Sequence, residues 1–341
     1  MIKQILYLTL AVVFLFSCKN DDDTPTVDTA TLELTPTSPP FSFTTEANFY
    51  SDIAYGDYER NTFDFFAPTT EFNTPLVIFI HGGGFTGGDK TIHYNEIEFS
   101  NLVNALLSQN IAVASINYRF INDNDTEGVL KSLNDSKRAL QFIKYHANNL
   151  NINKNKILLI GSSAGAGTSL WIGLSDDMAL DNSSDPILLE STRVQGIVGL
   201  STQSSYDVVE WHNSTFYEYQ SQGLDFEAIL NLAGEQTLLN FYGINNLSEL
   251  NSPEIQAIRV RLDMLGLLSS DDPEILVSNA DVPYTYPENN ADLLHHPLHA
   301  KAILDNATQN NVVCKAYIPQ MGIDNTNGES ILEFIIRKIG D

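Results

Sequence analysis

The stretch Ile157-Leu158-Leu159-Ile160-Gly161-Ser162-Ser163-Ala164-Gly165 decides the fold. Its first four residues carry no polar break, as in a strand buried on both faces of a parallel sheet. Its last five fit G-x-S-x-G, and Ala164 to Leu174 behind them reads as a helix. The five-residue pattern alone arises by chance in roughly one chain of this length in ten, so its surroundings decide its meaning. A strand that runs straight into a helix through so tight a turn strains the central serine, and only flanking glycines leave room for it. Ser163 Oγ is then presented to a cleft at a helix N-terminus, where the dipole favours developing negative charge.

Working outward, Leu76 to Ile80 is another buried run, followed by His81-Gly82-Gly83-Gly84-Phe85. A helical pattern from Ile97 to Leu107 leads to the run Ala112 to Ile116, which ends in Asn117-Tyr118-Arg119. An amphipathic helix from Leu133 to Ala147 leads to the strand before Ser163, and a strand from Thr62 to Ala67 starts the sheet. Beyond the serine lie strands at Val194 to Leu200, Ile275 to Val277 and Val312 to Ile318, with a closing helix at Ile331 to Ile339. This alternation predicts an α/β chain with a mostly parallel, doubly wound sheet and functional loops at the carboxyl ends of its strands. From about residue 204 to 272 the alternation stops. Helical patterns at Phe226 to Leu232 and Ile255 to Leu265 follow Trp211, Phe216, Tyr217 and Tyr219 there. A helical cap insertion is expected, its aromatic residues either lining an acyl or aryl pocket or forming the cap's own core.

With 341 residues and 43% hydrophobic content, the chain can bury one large core, and residues 46–341 are read as one catalytic domain. Residues 1–17 have the layout of a lipoprotein signal peptide: Lys3, the apolar run Ile5 to Phe16, then Ser17-Cys18. Leu15-Phe16-Ser17-Cys18 resembles a lipobox, with Cys18 as the lipidated residue, and Asp21 to Asp23 resemble the surface-export signal of bacterial lipoproteins. A lipid anchor in the outer membrane follows as the expected location. Residues 18–45, rich in Thr, Pro and Asp, are expected to be a flexible tether. The formal net charge of −25 makes nucleic acid an unsuitable partner and leaves the acyl chains as the means of membrane contact. With Cys18 lipidated, Cys314 is the remaining thiol, and its apolar surroundings mark it as a buried strand residue. His295, His296 and His299 cluster without cysteine or His-Glu-x-x-His spacing, so no metal is expected.

The glycine run after the Leu76 strand lets backbone N–H groups point at a substrate oxygen without Cβ interference. Gly83 and Gly84, with the N–H of Ala164, form the expected oxyanion hole. On these residues the sequence resembles the carboxylesterase and hormone-sensitive-lipase-like branch of the α/β-hydrolases. His81-Gly82-Gly83-Gly84-Phe85 with Gly88-Asp89-Lys90 resembles the oxyanion loop of bacterial acetyl-xylan and feruloyl esterase-like members. Asn117-Tyr118-Arg119 is similar to the end of their next strand, and Ser163-Ala164-Gly165-Ala166-Gly167 to their elbow. The likeness is close over roughly residues 60–200. It implies an α/β-hydrolase fold and hydrolysis of carboxylic esters without a cofactor, and leaves the ester open; a small-molecule ester or an esterified glycan is the expected partner.

The rest of the triad departs from that family. The acid belongs just past the strand at Ile275 to Val277, where Asp281 stands, while Asp292 directly precedes the histidine pair and is the other candidate. The family's histidine lies after the last strand. Here that loop reads Pro319-Gln320-Met321-Gly322-Ile323-Asp324, and no histidine follows His299. Two readings remain. Either His296 or a neighbour reaches Ser163 from the preceding loop, or the chain is a degenerate hydrolase that binds or scaffolds without turnover. The first is preferred, because an elbow and an oxyanion loop have little use without acyl chemistry.

Overall fold

The computed structural model of the protein describes residues 32–122 and 125–340. The expected signal peptide at residues 1–17, the expected acylation position Cys18 and the first part of the expected tether lie outside the described residues.

Nine strands form one sheet: β1 (Ala47–Ala54), β2 (Thr62–Pro68), β3 (Thr74–Ile80), β4 (Ala112–Ile116), β5 (Ile152–Ser162), β6 (Gly196–Leu200), β7 (Glu274–Ser278), β8 (Cys314–Ile318) and β9 (Ile323–Asp324). Their spatial order is β1-β2-β4-β3-β5-β6-β7-β8-β9. Strands β3 to β8 run parallel, and β1, β2 and β9 add antiparallel pairings at the two edges. This is the α/β-hydrolase fold. All seven residues of β3 and all five of β4 are buried, which is why both read as unbroken apolar runs rather than alternating ones.

Between the strands lie α1 (Ile97–Ser108), α2 (Val129–Tyr145), α3 (Ala164–Leu174), α4 (Phe226–Ala233), α5 (Glu235–Tyr242), α6 (Pro253–Leu262), α7 (Met264–Leu267), α8 (Asn290–Leu294), α9 (Pro297–Gln309) and α10 (Ile331–Ile339). Several start where side chains satisfy the free N–H groups of a first turn. Ser330 and Glu333 form a reciprocal capping box on α10, and Ser252 accepts from Ile255 N ahead of Pro253 on α6. Helices α1 and α10 seal one core through Val103, Leu106, Leu107, Phe334 and Ile335 against Val77, Phe79, Leu158 and Ile160.

The chain goes from β3 through α1 to β4, then crosses β3 again to reach β5 on its other side. The winding therefore reverses between β3 and β5, and ligands of open α/β sheets bind at the carboxyl ends of strands at such a point. In register, Ile80 is paired with Gly161. The glycine loop after β3 and the serine after β5 consequently start at the same height.

Two expectations change in detail. Part of the tether belongs to the packed domain: Phe41 and Phe43 lie against the core, Phe41 stacks on Phe66 with centroids 5.6 Å apart, and Thr44 N donates to Asn104 Oδ1 at 2.9 Å. Two aromatic rings in a Thr- and Pro-rich segment suffice to dock it, because aromatic burial outweighs the entropy of ordering a few residues. The strand β1 that follows also falls outside the expected elements. The insertion between β6 and β7 does hold helices, α4 to α7, with α5 an addition to the expected pair. Its aromatics divide: Trp211, Phe216 and Tyr219 are buried, while Tyr217 is 69% exposed. Cys314 is buried at the start of β8, and burial pushes its thiol up to about 12.

Candidate active site

Ser163 stands between β5 and α3 with φ 51° and ψ −122°, in a region that costs an ordinary residue free energy and persists only when its surroundings hold it. Two observations explain the glycines around it. A Cβ on Gly161 would stand 2.2 Å from the carbonyl oxygen of Gly165, and one on Gly165 would stand 2.0 Å from that of Ile80. Both obstacles are backbone, so neither can move aside without displacing α3 or β3. Gly165→Ala is therefore expected to cost on the order of 3 kcal/mol or more, measured by urea unfolding against wild type. A variant of unchanged stability would show that the turn is not packed this tightly.

The glycine loop lies against this turn: a Cβ on Gly82 would be 3.1 Å from Ser163 Cβ. Gly83 and Gly84 adopt φ 110° and 60°. Among the described residues the N–H groups of Gly83, Gly84 and Ala164 donate to no protein acceptor. Gly84, Ser163 and Ala164 face one cavity of about 500 Å³. Free backbone donors beside the serine hydroxyl would suit a developing oxyanion.

The loop is held by residues that carry the family resemblance. Tyr118 OH donates to His81 O at 2.8 Å, and the His81 and Tyr118 rings stack with centroids 4.4 Å apart. His81 Nδ1 donates to Gly82 O at 2.6 Å, which leaves Nε2 to accept from Arg60 Nη2 at 3.3 Å. Burial brings the His81 pKa down to about 4, so this ring is a neutral strut and no base for Ser163. Asn117 bridges the loop to the strand end, accepting from Lys90 N at 2.7 Å and donating to Asp89 Oδ2 at 2.7 Å. Arg119 makes a two-toothed pair with Asp135 at 2.8 and 2.7 Å.

The histidine that meets Ser163 is His295. Its Nε2 lies 2.9 Å from Ser163 Oγ. It follows the five-residue helix α8, whose Ala291 carbonyl accepts its N–H at 3.0 Å. His296, the expected base, points away and is fully engaged as the N-cap of α9: Nδ1 accepts from Leu298 N at 3.1 Å, and Nε2 donates to Thr285 O at 2.8 Å. Consecutive residues in a turn project to different sides, so one of two adjacent histidines takes the cleft and the other the helix start. Burial lowers the pKa of both rings, and for His295 the carboxylate of Asp281 opposes that shift. Neutral His295 can accept the serine proton.

The two candidate acids separate in the same way. Asp281 is the carboxylate that acts on His295. It accepts a hydrogen bond from Ser201 Oγ. Asp292 accepts from Glu288 N at 3.2 Å and Asn289 Nδ2 at 2.8 Å, securing the start of α8, and its charge acts on His296 instead. The loop after β8, where the resemblance puts a histidine, takes another part. Ile323 lies in β9, paired with Ile318, and Gln320 donates its amide to Ala280 O, beside Asp281.

The cavity next to Ser163 is lined by Phe85, Tyr206, Trp211, Leu238 and Phe241 among others, and among the described residues no charged side chain lines its wall. Trp211 therefore serves both of its expected parts, pocket wall and buried cap core, whereas Phe216 packs on His296 and His299.

The sheet, the elbow and the glycine loop define an α/β-hydrolase of the carboxylesterase kind. The chain belongs to the BD-FAE family, whose model matches residues 63–302. It is 25% identical over 231 residues to a probable isoprenylcysteine alpha-carbonyl methylesterase of Arabidopsis thaliana, an alignment covering 67% of this chain and 44% of that protein. It spans less than half the length of the curated relatives it matches. Among solved structures, a truncated carbohydrate esterase from gut microbiota superposes with a TM-score of 0.58 at 15% identity, over 89% of this chain and 98% of that one. An acetyl ester-xyloside bifunctional hydrolase from Caldicellulosiruptor lactoaceticus gives 0.51 at 19% identity, over 87% and 82%. At such identities the likeness concerns the fold.

Proposed function

We propose that the protein is a serine esterase that cleaves uncharged carboxylic esters through an acyl-enzyme on Ser163, with His295 as general base. The observation that carries this reading is the 2.9 Å contact between Ser163 Oγ and His295 Nε2. A lapsed hydrolase kept for binding would have no need of a neutral imidazole aimed at a strained serine. As Oγ attacks the ester carbonyl, Nε2 takes its proton, and the developing oxyanion is met by the N–H groups of Gly83, Gly84 and Ala164. The imidazolium, with Asp281 as the nearby carboxylate, then protonates the leaving alcohol. Water activated by the same ring releases the acid.

The uncharged cavity wall supports a neutral ester. The carbohydrate esterase among the structural neighbours is compatible with an esterified glycan as the alcohol. A p-nitrophenyl alkylphosphonate should label the wild type at one site per chain and leave Ser163→Ala unlabelled, as read by intact mass. An unlabelled wild type that also fails to turn over p-nitrophenyl butyrate would leave the binding reading in its place.

The proposed location, the outer membrane through acylated Cys18, rests on the sequence of residues 15–18. Cells grown with labelled palmitate should mark the wild type and not Cys18→Ala; equal labelling of both would remove the anchor.

A further inference from the structure

We propose that Asn279 is the positioning residue for His295, tying the turn that bears the base to the two strand ends that carry the rest of the site. The inference rests on the reading of His295 as the base. Asn279 is the first residue past β7, two before Asp281, and is fully buried. Its Oδ1 accepts from Thr202 N at 2.9 Å. Its Nδ2 donates to Thr202 O at 2.9 Å, to His296 O at 3.1 Å and to His295 O at 3.3 Å. An amide nitrogen has two hydrogens, so one serves Thr202 and the other is shared between the two histidine carbonyls. A single side chain thus joins the ends of β6 and β7 to the two-residue turn between α8 and α9.

The carbonyls just before that turn are held as well. Gln203 Nε2 donates to Leu294 O at 2.8 Å. His299 Nε2 donates to Leu293 O at 3.0 Å, while its Nδ1 accepts from Ser204 N and Ser204 Oγ at 3.1 and 3.0 Å. Four successive carbonyls, from Leu293 to His296, therefore each meet a side-chain donor. The physical need is plain. A five-residue helix cannot fix its own C-terminus, and a buried carbonyl without a donor pulls the chain toward water. In this chain the base stands on that short segment, and its placement relative to Ser163 depends on what holds the carbonyls behind it.

The test compares Asn279→Ala with Asn279→Asp in the full chain. The aspartate keeps the shape and the acceptor for Thr202 N, and loses the donors. With p-nitrophenyl butyrate, kcat should fall about 10- to 100-fold while KM stays within about twofold, since a base displaced by about an ångström slows chemistry more than binding. The acid limb of kcat/KM should move upward toward ordinary histidine behaviour. Burial is what lowers the His295 pKa, Asp281 and His299 are the ionisable groups facing it, and a loosened turn admits water. A folded variant that keeps kcat within about twofold, or one that loses activity through KM with the acid limb unmoved, overturns the assignment. His295→Ala separates the two levels. If it retains wild-type turnover, the base reading and the positioning role fail together; if it is inactive while both Asn279 variants turn over normally, only the positioning role fails.

Discussion

His295→Ala is expected to lower kcat by about three decades or more, about as far as Ser163→Ala, with the double variant losing little further. The imidazole and the hydroxyl act as one unit, so removing either removes the proton transfer that makes the serine a nucleophile. His296→Ala behaves differently. That ring donates to Thr285 O and accepts from Leu298 N on the far side of the turn, so its loss removes a helix cap and a buried hydrogen bond and is read mainly in stability, on the order of 1 to 2 kcal/mol. The measurement is kcat for each alanine variant with a small p-nitrophenyl ester, beside a urea melt for each. A His296 variant as inactive as the His295 variant, with stability unchanged, would contradict the geometry. So would a His295 variant within tenfold of wild type.

The contrast between these neighbours marks where the sequence stops being legible. The elbow could be read because its chemistry is local: a serine forced through a tight turn needs glycines at fixed offsets, and Gly161 and Gly165 are there. The helix from Ala164 to Leu174 matches its expected bounds, as does the closing helix from Ile331 to Ile339. The strands were legible because a central parallel strand has no polar face to hide. Which histidine meets Ser163 is another matter, for it is fixed by contacts across the fold. Nothing in Leu293-Leu294-His295-His296-Pro297 says which ring turns toward β5, although Pro297 correctly signals a helix start and so a cap at the residue before it. A histidine in the cap position has its ring taken by the helix, and that signal could have singled out His295. Asn279 offered less. It reads as a turn residue after a strand, and its work depends on Thr202 and His295 coming from two other segments. Phe41 and Phe43 were submerged in a composition that reads as linker, although two aromatics just ahead of a strand are enough to bind the segment to the core.

Acid should destabilise the fold well before its carboxylates are exhausted, because His81 and His299 are buried in neutral form. Both rings are wholly inaccessible, and burial brings their pKa values down to about 4 and about 3. The unfolded chain binds a proton at each as pH falls through about 6.5, whereas the folded chain does not until far lower. The unfolded state therefore holds more protons throughout that window, and stability drops as pH falls from about 6.5. By pH 5 each ring contributes a loss on the order of 2 kcal/mol, at about 1.4 kcal/mol per pH unit. Buried carboxylates with raised pKa values, Asp64, Asp207 and Asp272, pull the other way, since their folded forms take up protons first. A difference measurement separates the two. His299→Gln keeps a donor for Leu293 O and an acceptor for the Ser204 pair, cannot be charged, and leaves those carboxylates in place. Urea unfolding at pH 7.5 and pH 5.0 should show the variant less stable than wild type at the higher pH but losing less on acidification, by on the order of 2 kcal/mol. Parallel losses in the two proteins would mean that His299 is protonated in the folded state. The bonds from Ser204 N and Oγ to its Nδ1 argue against that, because a ring nitrogen that accepts carries no proton.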